Sequence, residues 1–508
     1  MQTKGLGRVR SKSTCVSGKH GFERNRRKIQ LLGRVPSIGS TATCMSIRQV
    51  KRKSALESTA KDHKMKVLVA GGGLGGLFLA ICLARKGIDV IVLERTKIYR
   101  PLGGPIQLAS NGMSVLKATS ENLYRRVQDN SRSFWGTKSG IKDGLTSEWM
   151  FQFDAITDIP KNRELPFAIC IDRSDLQACL LQEISNVNSD LNFGKVQVIM
   201  NAQVVSYTDD SARGRVSAVL EDNSSFEADV LIGADGIWSS VRAQMFKEPI
   251  GVKEAESTAS HTGYRLFSGL PIYKSGDYFD IGYCAFIGPD NYFVTCPDRH
   301  GRLQWYAFVK STVNREKVMA PTDFLLTQFR DWSPEIKSLI SSTCESEIEQ
   351  RELWDRPPCI FHGWTKGRVA LLGDSCHATM PNIGQGTGLA FEDAYVLSTG
   401  LEQAETSSIQ NKLQEYYKQR LFRTAAIQGF GRLNSEAIKI LTPLLPIKQV
   451  VDVIVSPLLP LVFWAQFGYC YSFCPAKENV IDSLRIASQM NDRHKLESNE
   501  AWAAQAKE

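Results

Sequence analysis

Twelve cysteines and seven histidines are spread over 508 residues with no C-x-x-C pair and no metal-type His/Cys spacing. Neither a zinc site nor a disulfide framework is therefore indicated. Scattered cysteines in apolar surroundings, such as Cys82 and Cys179, read as core fillers. Acids are nearly missing from the first 56 residues, where 14 Lys or Arg stand against the single Glu23. The formal charge of +9 is thus concentrated there, and the remaining chain sits at about −4, which implies no basic groove for nucleic acid. The leader also has no long apolar run. Residues 1–60 lack the apolar core of a secretory signal and fit an organellar transit peptide or a disordered basic leader. A second G-x-G-x-x-G is absent, so a reductase built on two dinucleotide domains is excluded.

What is present begins at Met65–Arg95, MKVLVAGGGLGGLFLAICLARKGIDVIVLER. Met65–Ala70 is a short Val- and Leu-rich run of the kind that forms a buried parallel strand. Gly71, Gly73 and Gly76 follow in the G-x-G-x-x-G register, then a helix pattern over Leu77–Lys86 and a second strand, Ile88–Leu93, ending on Glu94. Gly71 permits a tight turn, Gly73 lets backbone approach a pyrophosphate, and Gly76 lets helix and strand pack closely. The helix start offers free N–H groups and a positive dipole end to phosphates. Glu94 is placed to accept from ribose hydroxyls. With strand, helix and acid all in place, the motif predicts an adenine-dinucleotide site.

Downstream, Gly103-Gly104-Pro105 reads as a turn, Ile106–Leu108 as a short strand and Asn111 as the start of a helix. Residues 134–170 alternate apolar and polar, which predicts strands with one covered face. DRSDLQACLLQEI then reads as a helix capped by Asp172 or Ser174; Arg173 at its start either faces phosphate or is a solvated helix charge. Residues 196–220 read as a strand pair around Asp209–Gly214, Asn223 as a turn, and Phe226–Ile232 as one buried strand. Asp235 follows at a strand's carboxyl end, where ligands of open parallel sheets bind, or else caps the next helix.

Residues 262–310 read as antiparallel strands rich in Tyr, Phe and Trp that can wall an apolar ligand, followed by a helical stretch from Pro321 to about Ser342. In GRVALLGDSCHATMPNIGQGTGLAFEDA (367–394), a strand ends on Gly373-Asp374, where the carboxylate can meet a polyol hydroxyl. Gly384-Gln385-Gly386 opens a helix whose positive end can stabilise negative charge. His377 reads as a structural hydrogen-bonder.

The blocks AGGGLGG with Glu94, IGADGIWSSVR and GRVALLGDSCHATMPNIGQGTGLAFEDA lie in the order and at the distances of the FAD-dependent group A monooxygenases, the aromatic-hydroxylase-like family, which the chain resembles over about 65–440. GGPIQLASN (103–111), GTKSGIKDG (136–144), LQWYAF (303–308) and RELWDRPP (351–358) make it most similar to the zeaxanthin-epoxidase branch. Two departures stand out: Gly103 occupies a position usually held by Arg, and the roughly 70 residues after Leu441 are too few for the forkhead-associated sandwich of land-plant members. Flavin halogenases of related fold carry W-x-W-x-I-P, which does not occur here.

The resemblance implies an α/β fold: a Rossmann-type, three-layer FAD-binding domain with an inserted antiparallel-sheet substrate domain and a helical C-terminal region. The expected boundaries are 65–245 and 350–405 for the FAD domain, with substrate-lobe strands inserted near 134–170, and 255–345 for the substrate domain. It further implies that Gly71, Gly73, Gly76 and Glu94 bind the ADP half of FAD and that Arg173 meets the pyrophosphate. Asp235 would take part in FAD and NADPH handling, Asp374 would hold the ribitol, and Gly384 and Gly386 would line the flavin ring. NADPH would dock transiently, or a ferredoxin system would supply electrons. The implied reaction is epoxidation of a carotenoid ring double bond with dioxygen in a plastid; hydroxylation of another aromatic, quinone or carotenoid is the alternative. No protein nucleophile is required, since the cofactor supplies the reactivity.

The C-terminal part reads as a long helix (408–441), an apolar membrane-associating segment (442–480) and a polar tail (481–508). Val453–Ala476 contains no charge, but Pro457 and Pro460 argue against a regular spanning helix and for interfacial insertion. Leu458, Leu459, Leu461, Val462, Phe463, Trp464 and Phe467 are the expected lipid contacts.

Overall fold

The structure, a computed structural model, describes residues 64–99, 104–210, 212–249, 258–272, 280–312, 316–358, 360, 363–441 and 456–475. The basic leader, Gly103, residues 442–455 and the polar tail lie outside these.

The architecture is α/β. Its central sheet is parallel except at one edge, where Thr365–Lys366 runs antiparallel to its neighbour. β1 (Lys66–Ala70) lies between β2 (Asp89–Glu94) and β4 (Val230–Gly233); β3 (Val196–Met200) extends one side and β5 (Val369–Leu371) the other. Such a sheet is buried on both faces, which is why its strands are apolar runs rather than alternations. Helix α1 (Leu74–Arg85) is buried nearly all round, from Leu77 to Ala84. It is sandwiched between the sheet and helix α3 (Gly386–Glu402), with Phe78 and Phe391 ring centroids 4.2 Å apart. Helix α2 (Arg173–Ser189) joins this helical layer, and an antiparallel meander, Val204–Asp210, Arg215–Leu220 and Ser225–Ala228, packs on the sheet to complete three layers.

A seven-stranded sheet forms the second lobe, in the order Glu349–Asp355, Ser260–Gly269, Leu303–Lys310, Tyr292–Pro297, Ile281–Ile287, Lys138–Asp143, Trp149–Gln152. It is antiparallel except where Lys138–Asp143 runs parallel to Ile281–Ile287. One face buries Phe267, Phe286, Phe293 and Trp305 under the helices Pro321–Gln328 and Pro334–Ser341. The opposite face carries Leu266, Tyr283, Val294, Tyr306 and Phe308.

Several local expectations are corrected. Residues 196–220 are not one strand pair. Asn201, at φ +56°, breaks the run, so β3 joins the parallel sheet and only Val204–Leu220 forms a hairpin. Phe226–Ile232 is two strands in different sheets. They part at buried Asp229, whose carboxylate accepts from Lys66 N (2.8 Å) and Arg215 (3.1 Å). Within 134–170, Ala155–Arg163 is helical despite Pro160, ending at Glu164 in the left-handed region. The helical stretch after Pro321 is two helices, because Pro334 starts a new one. Asp172 precedes α2 without capping it; its carboxylate goes instead to Arg302 at 3.0 Å.

Helix α4 (Ile409–Leu441) packs along α3, and helix α5 (Ser456–Cys470) lies against Ala155–Arg163. Among the described residues no helix is long and apolar enough to cross a membrane. The expected lipid contacts divide between two faces. Phe463 and Phe467 turn inward, with Phe153 at 4.4 and 5.9 Å. Leu458, Leu461, Val462 and Trp464 remain exposed.

Candidate functional site

The carboxyl ends of β1, β2, β4 and β5 open onto two adjoining cavities of about 420 and 800 Å³. Both are lined by Gly73, Arg173, Ala234 and Gly236, so they form one elongated cleft. Two helices point their first turns into it. Helix α1 starts at Gly73 and α3 at Gln385, and neither has a side-chain cap. Their leading N–H groups are thereby left for a ligand.

The glycines of the first loop do different work. Gly71 is at φ +106°, and a Cβ there would sit 2.4 Å from Ala234 O, so only glycine fits between the strand ends. At Gly76 a Cβ would sit 2.0 Å from Gly71 O, which makes it a helix-to-loop contact beneath the cleft. A Cβ on Gly73 would meet no protein atom within 4 Å, although this residue lines both cavities. It faces the space where a phosphate would lie. Glu94 is buried at the other end, with Oε2 accepting from Gly72 N (2.7 Å) and Oε1 from Thr96 N (2.8 Å). Each oxygen keeps a second lone pair for a ribose hydroxyl.

Arg173, at the start of α2, touches both cavities and has no hydrogen-bond or ion-pair partner among the described residues. Asp374 stands nearby, open to the cavity yet ringed by protein. That enclosure raises its carboxyl pKa, while His377 and Arg173 pull it back. Gly384 is at φ +61°, and a Cβ there would sit 2.6 Å from Gln107 Oε1. Gly386 opens α3 directly on the cavity. Asp235 does cap a helix start, accepting from Ser240 N at 2.9 Å, while its Oδ1 is buried without a partner among the described residues. It lines the larger cavity.

His377 does not reach the cleft. Its Nε2 lies 2.6 Å from Asp393, which also accepts from Gly373 N (3.0 Å) and Arg420 (2.7 Å). Burial alone would raise the Asp393 carboxyl, but His377 and Arg420 overcome it and hold it at about 2. Adjacent Glu392 pairs with Arg420 and Arg423 and accepts from Asn111 at 2.6 Å. Asn111 in turn reaches Gln385 at 3.0 Å, so this buried network pins the start of α3. Sequence reasoning missed it, since its members come from four helices and the residues that precede two of them, with no common spacing.

Also missed were Gln107, Tyr99, whose hydroxyl donates to Gly72 O at 3.0 Å, and the individual residues of the aromatic wall. Strand alternation carried a signal for the wall: Leu266, Val294, Cys296, Tyr306 and Phe308 all line the smaller cavity from alternating positions.

Residues 64–429 match the family described as FAD binding domain. Chloroplastic zeaxanthin epoxidase of Oryza sativa subsp. japonica is 35% identical over 384 residues, 73% of this chain and 55% of that protein. The Arabidopsis thaliana enzyme of the same name is 33% identical over 71% of this chain and 53% of its own. The chain thus spans about half the length of the curated relatives it matches. Among solved structures, Klebsiella pneumoniae HpxO complexed with FAD and uric acid superposes with a TM-score of 0.62 at 24% identity, covering 85% of this chain and 96% of that one. A salicylate hydroxylase substrate complex gives 0.64 at 21%, covering 84% and 98%. These last two share the fold.

Proposed function

The chain belongs to the FAD-binding-domain family, and from that premise we propose that it is an FAD-dependent monooxygenase that epoxidises the ring double bond of a xanthophyll. The observation that carries the reading is the cleft itself, where two helix starts without side-chain caps meet beneath an aromatic wall. FAD fits the donors present. The orphan N–H groups of α1 and the Gly73 opening suit a pyrophosphate, Glu94 suits a ribose and Asp374 a ribitol.

When bound, FAD supplies the activation of dioxygen and the transfer of one oxygen atom. The protein's own groups do the rest. Gly71, Gly73, Gly76 and Glu94 shape the ADP end, and Arg173 offsets the pyrophosphate charge. The α3 start at Gly384–Gly386 stabilises negative charge at the ring end. Asp235 with Gly236 borders the passage between the two cavities and is assigned to FAD and reductant handling. Leu266, Val294 and Phe308 exclude water and hold an apolar ring over the reacting edge.

The single dinucleotide motif leaves NADPH to dock transiently, or a ferredoxin system to deliver electrons. The xanthophyll assignment draws on the apolar wall and on the names of the relatives; the same names and the basic leader support a plastid location, within which we propose a stroma-facing membrane surface. The exposed side of α5 supplies the contact with lipid, where such a substrate dissolves.

A second reading, hydroxylation of a small aromatic or quinone, is favoured by Arg351. This residue lines the smaller cavity with no partner among the described residues and could anchor a carboxylate or phenolate. One experiment separates them: the purified chain is incubated with FAD, NADPH or a reduced ferredoxin system, and zeaxanthin micelles. Mono- and diepoxides support the first reading. Reductant oxidation coupled to product only with small aromatics or quinones overturns it.

A further inference from the structure

The smaller cavity is too short for the whole of the substrate proposed for it. Its volume of about 420 Å³ lies near the low end for drug-sized ligands, and Gly384 and Gly386 commit part of it to the ring end of FAD. What remains holds one end ring under Leu266, Val294 and Phe308. A xanthophyll carries a long polyene and a second ring beyond the first. Left in water, that apolar length would forfeit the burial that drives binding. An apolar continuation starts in the cavity wall. Cys296 and Tyr283 line the cavity, and both belong to a hydrophobic cluster that also contains Phe153 and the inward rings of α5, Phe463 and Phe467. On the outer face of the same helix Leu461, Val462 and Trp464 are exposed. The cluster therefore reaches from the cavity to the surface assigned to lipid.

The seam under α5 is fastened at one end. Among the described residues, the hydrogen bonds from the body to α5 lie at its C-terminal end, where Arg163 donates to Gly468 O (2.7 Å) and Arg423 to Tyr469 O (3.0 Å) and Cys470 O (2.6 Å). Farther forward the contacts are between rings: Phe463 stacks on Phe151 at 5.9 Å and lies 4.4 Å from Phe153. Pro460 removes one of the helix's own hydrogen bonds in this half. Gln466 Nε2 and, just beyond the helix, the Tyr471 hydroxyl are buried without a partner among the described residues. Each opposes the closed packing, because opening restores a partner from water.

We infer that the seam between α5 and the Phe151–Phe153 edge of the second lobe is the other half of the substrate site: α5 swings about its C-terminal ties, and the polyene lies between the rings of Phe463 and Phe467 and those of Phe151 and Phe153. The inference rests on the xanthophyll reading. Flat rings on both sides suit a flat conjugated chain, which replaces the ring contacts that it parts. A substrate dissolved in lipid then enters end-first beneath the helix that touches the bilayer, and its far end never crosses water.

The test uses the full FAD-loaded chain and two ligands that share an end ring and differ in length, zeaxanthin in micelles and 3-hydroxy-β-ionone, which lacks the polyene. The readout is the ratio of their dissociation constants. Wild type should bind zeaxanthin at least about a hundredfold more tightly, since the seam adds apolar burial that the short probe cannot use. Phe463→Ser and Phe151→Ser each remove one ring, from opposite sides of the seam, at half-buried positions. Each should cut the ratio at least about tenfold through weaker zeaxanthin binding, with FAD content held. Two variants guard against one that fails to fold, and a thermal melt identifies it. A ratio near one in wild type overturns the inference, as does a wild-type ratio kept by a folded variant; the polyene then leaves through the mouth of the cleft. Equal weakening of both ligands also overturns it, because the damage then lies in the cavity. Zeaxanthin epoxidised by wild type and by both variants with equal efficiency rejects the seam alone. Zeaxanthin bound with the expected ratios but never epoxidised rejects the epoxidase reading and leaves the seam standing. No zeaxanthin binding by wild type rejects both.

Discussion

Replacing Gly73 with valine separates what the cofactor needs from what the fold needs. The residue sits at φ −70°, ψ −179°, a conformation open to any side chain, and a Cβ there meets no protein atom within 4 Å. The cost to the fold is confined to a poorer helix start, about 1 kcal/mol, since valine is among the weakest N-caps. The cost to FAD is of another size. A branched side chain would occupy the space in which a phosphate approaches the first N–H groups of α1. Loss of two charge-assisted hydrogen bonds at roughly 1.5–3 kcal/mol each amounts to about 3–6 kcal/mol, or roughly 10²- to 10⁴-fold in dissociation constant. The assay is equilibrium titration of apoprotein with FAD, followed by flavin absorbance and fluorescence, beside a thermal melt. Gly76→Ala is the counterpart. Its Cβ would lie 2.0 Å from Gly71 O, so it should lower the melting temperature as well as the FAD content. Lys412→Ala, which removes only a surface pair with Glu415, should change neither. Full yellow absorbance in Gly73→Val with an unchanged dissociation constant would refute the phosphate assignment.

Asp374→Ala removes an acceptor facing the cavity and should weaken FAD at least about tenfold; an unchanged titration curve would mean the ribitol lies elsewhere. On α5, changing Leu461, Val462 and Trp464 to Ser should release the protein from neutral liposomes, with little effect of salt and no loss of thermal stability, because all three are exposed. Phe467→Ser should instead destabilise by about 3–5 kcal/mol through its lost packing on Phe153 and Tyr471. Flotation undiminished in the triple variant, or abolished by salt in wild type, would remove α5 as the anchor. The Asp393 carboxyl, held at about 2 against an ordinary 3.8, gives stability that is complete above pH ~4 and lost as pH falls through its folded value, about 2 kcal/mol in all. Asp393→Asn should lower stability at neutral pH and flatten the decline between pH ~4 and ~2 in urea melts. An acid limb identical to wild type would show that Asp393 is not its source.

The sequence alone determined the parts whose physics is local. The glycine loop, its strand and helix, and Glu94 at the end of the next strand were legible because tight turns, close packing and a helix start each require particular residues at fixed spacing. The same holds for Gly384 and Gly386 around the start of α3 and for the alternating strands of the second lobe. Only the tertiary structure decided what depends on which elements meet. Periodicity could not show that Val196–Met200 leaves its neighbour for the parallel sheet, because a strand's pattern does not name its partner. Nor could it show that Asp229 splits one apolar run between two sheets, since that turns on Lys66 and Arg215 arriving from elsewhere. Asp172 precedes a helix, yet its carboxylate is claimed by Arg302, which lies 130 residues away in the chain. On α5 the apolar residues looked alike in sequence; Phe153 decides which of them turn inward and which are left for lipid. The buried network from His377 to Asn111 and the seam beneath α5 belong to the same class. Burial and pairing are properties of surroundings, and surroundings are assembled from distant parts of the chain.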